Sequence, residues 1–550
     1  QWARRPITFS WENMVAWGVG WPLGVFAWLA YLGMGWQILR KQNWHHHLPL
    51  WAFTGAYFTW QTFSWVRTMR YQVLIYPALA LFAGWGLVKL WTLRQGFKIK
   101  KLHITPKFFR VTGIVLTIII ILTTAAYAFA FSRIYTRPHT RVAASRWIYQ
   151  NIPGALTLQM ETSAGDYQQP LPYRAGDNLD PGISYRLPFY AMEDATLRSI
   201  TFPHILDQSQ TASLKQVQLT IYSADRPGQV LASAQVDSEF LAPESDSRGA
   251  AYDFYLEQPV PVFEGDLYYL QLDLTLGEFS LMLNGSPSLD FLTMDGMTLV
   301  RPLPRILQSV TAETPYSMHV QVLQTGTISE VLVPFLVDQA GIPGEKTLTV
   351  NLQIDNVENA ASSGSVRSVF TPGEDIRGAA YVIALDEPLR VNEGQTLIVT
   401  LSTNTSDARL ALHAPAPVHE SSWDDAVPYP VNGFSPYSES GGIYRGDLNF
   451  EMYWTDDQVK LQRFEINLDL ADYIFITSSR QWGTTTRVPE RYLLTTFYYR
   501  NLLGCPSEAD VTWCYSVAEP GMFEGSLGFE LVEVFQSNPN FGPIEFNSQF

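Results

Sequence analysis

Arg67 and Arg70 lie between two uncharged apolar stretches of the chain, and Tyr71 follows Arg70 directly. A guanidinium group presents its N–H donors in a planar fork, which suits it to an anionic partner. Arg5 offers the same chemistry ahead of the first apolar stretch. These four side chains are therefore the candidates for binding an anion. The alternative, which we favour for Arg67 and leave open for Arg70, is that they anchor apolar segments among lipid headgroups.

Other groups of polar side chains are weaker indications of chemistry. His45, His46 and His47 are adjacent, but side chains that follow one another on a helix diverge, so we interpret them as interfacial residues and not as a metal site. The pair Asp424 and Asp425 is of the kind that binds metal ions, and we favour a structural role for it or one in contacting an acceptor. The sequence contains no phosphate-binding P-loop, no dinucleotide fingerprint and no zinc-ligand spacing.

The chain has only two cysteines, Cys505 and Cys514, which lie nine residues apart on either side of a polar loop. In an oxidising compartment such a pair can close the loop as a disulfide. We predict that bridge, with two unpaired thiols as the alternative.

The charge of the chain changes sign near residue 137. Up to Arg137 the only acidic side chain is Glu12, against fifteen Lys and Arg residues, whereas the formal net charge of all 550 residues is −15. A cationic, apolar head therefore precedes a strongly acidic body. The head has the composition of a membrane region and the body that of a water-exposed domain, so a function at or across a membrane surface is expected.

The head contains four apolar stretches long enough to cross a bilayer, at about 13–39, 45–66, 71–91 and 111–132. About 20 apolar residues in a helix span the hydrocarbon, where a helix satisfies its own backbone polar groups. We therefore predict a transmembrane region of four helices over residues 1–135. Buried helices of a large soluble protein are the disfavoured alternative, because such acid-poor stretches are hard to keep in solution.

Basic residues set the expected orientation of these spans. The short connection between the third and fourth spans carries six of them, which predicts that it is cytoplasmic. They are Arg94, Lys98, Lys100, Lys101, Lys107 and Arg110. Everything after the fourth span is then extracytoplasmic, and so are Arg5, Arg67 and Arg70, against the usual bias of positive charge toward the cytoplasm. A cation on that side is a candidate for an anionic partner.

The body from 184 to 414 is predicted to form short alternating strands separated by turn residues, which is typical of β-sandwiches. The sequence Arg-Gly-Ala-Ala-Tyr at 248–252 recurs at 377–381, an offset of 129 residues, and Glu264-Gly265 recurs as Glu393-Gly394 at the same offset. The Gly after each Glu indicates a turn that needs a positive φ.

This repeat predicts two tandem β-sandwiches of the jelly-roll-like kind, at 184–305 and 306–414. Tandem modules of this kind often bind glycans. We favour the simpler interpretation that they are a spacer or a packing platform, because no exposed aromatic cluster can be placed on one face.

The segments on either side of the sandwiches predict an α/β domain that is split in two. The predicted elements are helices at 136–150 and 456–468 and strands at 156–160, 471–477 and 528–535. We expect 136–183 and 415–550 to be the two halves of one extracytoplasmic α/β domain, interrupted by the two sandwiches.

Several motifs of the head and of the C-terminal region occur in one order. In the head they are 1–24 (QWARRPITFSWENMVAWGVGWPLG), 66–87 (VRTMRYQVLIYPALALFAGWGL) and 140–153; later they are WDDAVP at 423–428, ADY at 471–473, SR at 479–480, RVPERY at 487–492 and YY at 498–499. Together they resemble a bacterial family of polytopic, lipid-carrier-dependent glycosyltransferases of the GT-C superfamily, with protein mannosyltransferases and aminoarabinose transferases as relatives. The sandwiches are not part of that pattern. The sequence QVLIYP at 72–77 also departs from it, since the family usually has a Pro before Ile-Tyr-Pro.

The resemblance implies a multi-pass enzyme of the bacterial cytoplasmic membrane that moves a sugar from a polyprenyl-phosphate donor to an extracytoplasmic glycan or protein acceptor. Arg70, Tyr71, Arg67 and Arg5 would then contact the phosphate of the lipid carrier. The family's catalytic carboxylate lies in the first external loop of the whole protein. We therefore expect this chain to be the C-terminal part of a longer protein, with the catalytic acid upstream of residue 1. No cofactor is implied with certainty, and the need for a divalent metal stays open.

A second function class is a non-enzymatic, membrane-anchored adhesion or glycan-binding protein in which the sandwiches carry the function. A transporter fits less well, because no charged residue other than Lys89, near the end of the third span, lies within a predicted span to line a path. A nucleic-acid partner is not expected, since the positive charge belongs to a membrane region.

Overall fold

The computed structural model describes residues 6–64, 67–92, 97–99, 102–104, 106–171, 173–226, 228–357, 361–420 and 450–545. The chain divides into two compact units. Unit 1 comprises Gln1–Thr140 with Trp482–Phe550, and unit 2 comprises Arg141–Gln481.

The N-terminal part of unit 1 is helical. In chain order its elements are α1 (Phe9–Asn13), a π-helical turn (Met14–Gly18), α2 (Trp21–Leu39), α3 (Trp44–Phe63), α4 (Met69–Gln72), a 3-10 turn (Val73–Ile75), α5 (Tyr76–Thr92), the antiparallel hairpin β1 (Phe97–Ile99) and β2 (Leu102–Ile104), α6 (Pro106–Ser132) and a second 3-10 turn (Arg133–Thr136).

Three helical stretches of the described chain are long and apolar enough to cross a membrane: Trp21–Leu39, Met69–Thr92 and Lys107–Asn151, the last of which contains most of α6. They coincide with the first, third and fourth expected spans. The second expected span, 45–66, is helical as α3 but is not among the three. Its three adjacent histidines and the internal Pro49 lower its hydropathy, although 20 residues are long enough to cross.

The first expected span, 13–39, is interrupted in the structure. Gly20 has a φ of +82°, and α2 begins only at the next residue, with Pro22 in its first turn. The preceding π-helical turn leaves the carbonyl of Ala16 free to accept a hydrogen bond of 2.6 Å from the Tyr127 hydroxyl of α6. The break is thus a local consequence of the Gly-Trp-Pro sequence, which hydropathy alone did not reveal.

Helices α2 and α5 pack closely because small residues face each other between them. A Cβ added to Gly86 would lie 2.9 Å from the Cβ of Ala30, so the space between the two helices has no room for a larger side chain. Leu79 and Phe82 of α5 are fully buried in the same cluster. Small residues that permit close approach are the usual basis of helix association in membranes.

Helix α7 (Thr140–Asn151) lies in unit 2 from its second residue onward, and unit 2 continues as antiparallel β-structure. Its strands up to residue 302 are β3 (Thr157–Thr162), β4 (Gly165–Pro170), β5 (Asp177–Leu179), β6 (Tyr185–Tyr190), β7 (Ala195–Asp207), β8 (Lys215–Ser223), β9 (Val230–Ser238), β10 (Ala250–Val262), β11 (Leu267–Leu276), β12 (Leu281–Asn284), β13 (Ser288–Thr293) and β14 (Thr298–Pro302). The next are β15 (Val310–Thr311), β16 (Tyr316–Gln321), β17 (Gly326–Asp338), β18 (Lys346–Ile354), β19 (Ala361–Ser368), β20 (Ala379–Val391), β21 (Thr396–Ser402) and β22 (Arg409–His413).

These strands form two sandwich-like pairs of sheets with the same topology. In the first, a sheet of order β14-β13-β7-β12-β5, in which β10 also pairs with β7, faces the sheet β6-β11-β8-β9; in the second, β4-β3-β17-β22-β15, in which β20 also pairs with β17, faces β16-β21-β18-β19. Alternating side chains of the facing sheets form one apolar core in each sandwich.

The internal repeat follows from this shared topology. Strands β10 and β20 are both 13 residues long and start 129 residues apart. Gly249 and Gly378, just before them, have φ of +111° and +91°, and a Cβ on either would clash with the backbone carbonyl of the long strand beside it. Gly265 and Gly394 also have positive φ, as the turn after each Glu predicts.

The partner of the hairpin β3–β4 differs from the expectation. The strand at 156–160 was expected to belong to a split α/β domain, but β3 pairs antiparallel with β17 of the second sandwich. The hairpin β13–β14 holds the equivalent place beside β7 in the first sandwich. The β3–β4 hairpin that completes the second sandwich thus precedes the first sandwich in the sequence. The chain therefore passes from the second sandwich to the first and back to the second.

The remaining elements are β23 (Pro417–His419), α8 (Gln458–Leu470), β24 (Tyr473–Phe475), α9 (Ser479–Thr485), α10 (Leu493–Leu503), α11 (Val511–Val517), β25 (Asn540–Phe541) and β26 (Ile544–Glu545). Strand β24 pairs parallel with β23, and both Tyr473 and Phe475 pack against Ile148 and Ile152 at the end of α7. Residues 136–183 and 415–550 are nevertheless not one domain, because 482–550 belongs to unit 1. The strand expected at 528–535 is absent; that segment has no regular secondary structure.

A buried ion pair stabilises the first sandwich where β7 leads into β8. Lys215 Nζ lies 2.8 Å from an Asp207 carboxylate oxygen, and the two side chains are 1% and 0% exposed. Burial by itself would raise the pKa of Asp207, but hydrogen bonds from Lys215, Ser209 and Thr211 outweigh it and hold that pKa well below its usual range. The second sandwich has a buried lysine at the same place, but Lys346 Nζ lies 3.9 Å from the equivalent Asp338 and 2.7 Å from Asp407, whose side chain is 42% exposed.

Replacement of Lys215 by Ala is therefore expected to destabilise the first sandwich by about 3–5 kcal/mol, because it leaves Asp207 charged and buried without its counter-ion. Arg367→Ala is the matched control. Its pair with Glu345 is 2.7 Å long but 70% and 57% exposed, so a loss below about 1 kcal/mol is expected. Denaturant unfolding of the full chain, read by proteolysis of the sandwich region, compares the two. Equal losses would contradict this account of the buried pair.

Candidate functional site

The phosphate-binding candidates lie where α3 connects to α4 and α5 in unit 1. Arg70 and Tyr71 are both exposed on the short helix α4, just before the 3-10 turn that leads into α5. The Tyr57 hydroxyl of α3 donates a 2.8 Å hydrogen bond to the Tyr71 carbonyl. This bond fixes α4 against α3 and leaves the side chains of Arg70 and Tyr71 facing outward.

The other two phosphate-binding candidates are Arg67 and Arg5. The Arg67 Nε donates a 2.9 Å hydrogen bond to the carbonyl of Thr62, in the last turn of α3, and the side chain is half-buried. That contact satisfies a carbonyl that the helix end leaves open, which is a structural role. Arg5 lies outside the described residues, so its place among the candidates stays a prediction.

Gln72 is a polar residue of this region that the sequence interpretation passed over. Its side chain is 1% exposed, and neither its amide oxygen nor its amide nitrogen has a hydrogen-bond partner among the described residues. Buried polar side chains in membrane regions are costly and commonly functional. The signal was visible in the sequence, since Gln72 is the only amide side chain between Tyr71 and Lys89 and lies two residues after Arg70.

A cavity of about 830 Å³ lies within unit 2 and was not predicted. Segments far apart in the sequence line it: the turns around 189–192 and 264–265, Ser286 and Leu289, the strand end and loop at 301–307, the loop 373–377, the segment 413–417 and the end of α8. Most of the lining is apolar, with four prolines among it, Pro302, Pro304, Pro415 and Pro417. No single stretch contributes enough of the wall to be recognised from sequence.

Several charged groups of the cavity wall, among them Arg301 and Arg377, are held in ion pairs. Arg301 of β14 lies 2.6 Å from Asp469 of α8. Arg377 lies 2.6 Å from Asp375 and 2.6 Å from Asp472, which also accepts a hydrogen bond from the Ala416 N–H. These pairs join both sandwiches to the α8–β24 segment and shape the cavity.

His413, at the end of β22, is the titratable group of the wall whose ionisation matters most. Burial, together with the nearby positive charge of Arg377, lowers its pKa to about 4 against a smaller opposing effect of Asp375. The imidazole is therefore neutral at pH 7. Its ring is hydrogen-bonded to the backbone of Arg305, so it acts as a structural part of the wall.

The expected disulfide is not formed. Cys505 and Cys514 are both free thiols, buried in one apolar cluster with Leu503 and Ala518. Burial, followed by the neighbouring Cys514 thiol, raises the pKa of Cys505 well above its usual range. The two side chains therefore pack as small apolar groups, which sequence spacing alone does not distinguish from a bridge.

The part of the chain that the structure describes contains no candidate metal site. No group of three or more His, Cys, Asp or Glu side chains is arranged to hold an ion there. His45, His46 and His47 form the start of α3. Asp424 and Asp425 lie outside the described residues, so their role stays a prediction.

Comparison with known proteins adds no identification. No family model and no curated protein matches this chain. Among solved structures, one described as "Cryo-EM structure of T=1 Penaeus vannamei nodavirus" aligns with 12% sequence identity over 44% of this chain and 97% of that chain, at a TM-score of 0.12. At that TM-score the likeness carries no argument about fold or function.

The buried His413 predicts a pH-dependent loss of stability. Its pKa is about 6.5 in the unfolded chain and about 4 in the folded one, so only the unfolded state binds the proton between these values. Stability is expected to fall by about 3 kcal/mol as the pH drops from about 6.5 to 4. Thermal unfolding of wild type and His413→Gln across that range measures the difference. A wild type that declines no more than His413→Gln would contradict the assignment.

Proposed function

We propose that this chain belongs to an integral membrane glycosyltransferase that moves a sugar from a polyprenyl-phosphate donor to an extracytoplasmic acceptor. The observation that carries the proposal is the exposed Arg70, with Tyr71 beside it, at the start of a helix long and apolar enough to span a bilayer. This placement is the one that a cation needs to meet a phosphate at a membrane surface.

The side of the membrane on which Arg70 lies depends only on whether α5 and α6 cross. If α5 and α6 both cross, the connection between them lies on one side, and Arg70 and the residues after α6 lie on the other. The six basic residues at 94–110 favour a cytoplasmic connection. In the proposed arrangement α3 is a fourth crossing, the membrane is the bacterial cytoplasmic one, and the acidic body is extracytoplasmic.

The chemistry that Arg70 supplies is binding and charge stabilisation. When the sugar leaves the carrier, negative charge develops on the phosphate, and a guanidinium fixed beside it stabilises that charge more than it stabilises the intact donor. Gln72 is buried on the same short helix, and its amide has no hydrogen-bond partner among the described residues. None of the residues with a proposed role is the catalytic acid, and unit 2 has the proposed role of presenting a glycan or protein acceptor.

Transfer of sugar from a polyprenyl-phosphate donor by the complete protein in membranes tests the proposal. Arg70→Ala is expected to lower kcat/KM by about 100-fold or more, as loss of one charge-stabilising donor does, and Arg70→Lys by less. Arg133→Ala, which removes a cation just after α6 on the same proposed side of the membrane, is the matched control and is expected to leave the rate within a few-fold. Equal rates for Arg70→Ala and Arg133→Ala would contradict the assignment of Arg70.

A second candidate function is glycan binding by unit 2 without transfer, and the cavity favours it. A concave, largely apolar wall with a few fixed polar groups is the usual form of a ligand site. Binding of soluble glycans to the complete protein tests this candidate. Binding that Arg70→Ala leaves unchanged and that Ala416→Trp in the cavity wall weakens supports it. Loss of transfer in Arg70→Ala with no such binding favours the transferase.

A further inference from the structure

Helix α10 and the turn before it present two apolar and two basic side chains to the outside of unit 1. Leu493 and Phe497 are 70% and 62% exposed. Arg487 and Arg491, which precede them, are also exposed. We refer to these four side chains as the α10 surface.

The apolar pair belongs to one face of the helix. Leu493 and Phe497 are four residues apart, so their side chains are neighbours on α10. The opposite face is buried through Tyr498, Tyr499 and Leu503. The helix therefore has a second apolar stripe, which is turned away from the protein core.

Contacts on the buried face hold α10 in place, so Leu493 and Phe497 cannot turn toward the protein interior. The Tyr515 hydroxyl of α11 donates a 2.9 Å hydrogen bond to the Tyr499 carbonyl. Arg500, in the last turn, donates to the carbonyls of Pro506 and Ala509. Gly504, with a φ of +81°, ends the helix. Leu493 and Phe497 thus remain on the surface of unit 1 unless something outside covers them.

The segment after α11 returns to a helix that can span the membrane. Arg137, after α6, donates hydrogen bonds to the Asn538 carbonyl and to the side chain of Asn540. The ring of Phe541 lies 6.4 Å from that of Phe129, three residues before α6 ends. The chain that carries α10 is therefore tied at its far end to the end of a membrane helix of the same unit.

We propose that the α10 surface contacts the lipid bilayer, with Leu493 and Phe497 at the acyl boundary and Arg487 and Arg491 on anionic headgroup phosphates. The combination of exposed apolar side chains with adjacent arginines is what interfacial helices use: apolar burial supplies the contact and basic residues add attraction to anionic lipid. The proposal depends on membrane association of unit 1 and not on sugar transfer. A protein partner on the same surface is the competing occupant.

Nitroxide labels on the full chain in phosphatidylglycerol-containing vesicles test this surface. Phe497→Cys and Leu493→Cys carry the label, and Tyr255→Cys, at a 72% exposed aromatic residue of β10, is the matched control. Cys505 and Cys514 are 7% and 0% exposed, so wild type treated in parallel measures background labelling. Labels at 493 and 497 are expected to show a several-fold higher ratio of collisions with oxygen to collisions with a water-soluble nickel complex than the label at 255.

The double variant Arg487→Gln, Arg491→Gln, labelled at 497, tests the headgroup contact. Its collision ratio is expected to fall toward that of residue 255 in the anionic vesicles, and to change less in vesicles of phosphatidylcholine alone. A label at 497 that is as accessible to nickel as the label at 255 would overturn the proposal. Shielding of the label from both reagents would also overturn it, because a protein surface then covers α10.

Discussion

Hydrocarbon offers no hydrogen bonds to a polypeptide backbone, and a helix that can cross a bilayer must meet this constraint. Residues that cross must satisfy every N–H and C=O within a helix, and α2, α5 and α6, which are long enough to cross, are uncharged at their centres. The same constraint excludes acidic side chains, and Glu12 is the only one before residue 137. The remainder of the chain carries nearly all the acidic residues.

Within the helical region, deviations from a regular helix fall near the candidate phosphate site and its partner helices. The Ala16 carbonyl, left open by the π-helical turn, is satisfied by Tyr127 from α6. The buried Gln72 lies two residues from the exposed Arg70, where α4 gives way to a 3-10 turn. Irregular backbone at membrane depth is stable only when other protein groups satisfy it. Such local departures from regularity are where functional sites are concentrated.

Unit 2 holds two similar sandwiches together through buried ion pairs. Each sandwich keeps one buried lysine paired with aspartate at the start of the strand that follows its long strand, at Lys215 and Lys346. Between the sandwiches, Arg409 reaches Asp177 at 2.8 Å with both side chains nearly fully buried. Pairs of this kind favour one arrangement over others, since a shifted register would leave a charge buried and alone.

Much of this architecture was accessible from sequence, because it rests on local patterns. The repeated Arg-Gly-Ala-Ala-Tyr predicted two similar sandwiches, and their Gly249 and Gly378 have the positive φ of a close backbone approach. Hydropathy located three helices that can span. The predictions that were wrong depend on contacts between residues that are distant in sequence. The β3–β4 hairpin has the alternation of any buried strand, and nothing in its sequence indicates that β17 is its partner.

The candidate site also has a part that could be predicted from sequence and a part that could not. Arg70 and Tyr71 are exposed where a helix begins, whereas the hydrogen bond from Arg67 to the end of α3 depends on loop geometry. The cavity of unit 2 has no sequence signature, because its wall comes from seven separate segments.

Proteolysis of sealed membrane vesicles of known orientation tests most directly whether the helices thread the bilayer. The account predicts that protease added to right-side-out vesicles removes the acidic body after residue 140 and spares the basic connection at 94–110. In inverted vesicles the connection is cut and the body is protected. Cleavage of both regions from the same side would contradict a crossing by α6, and the proposed placement of Arg70 would fail with it.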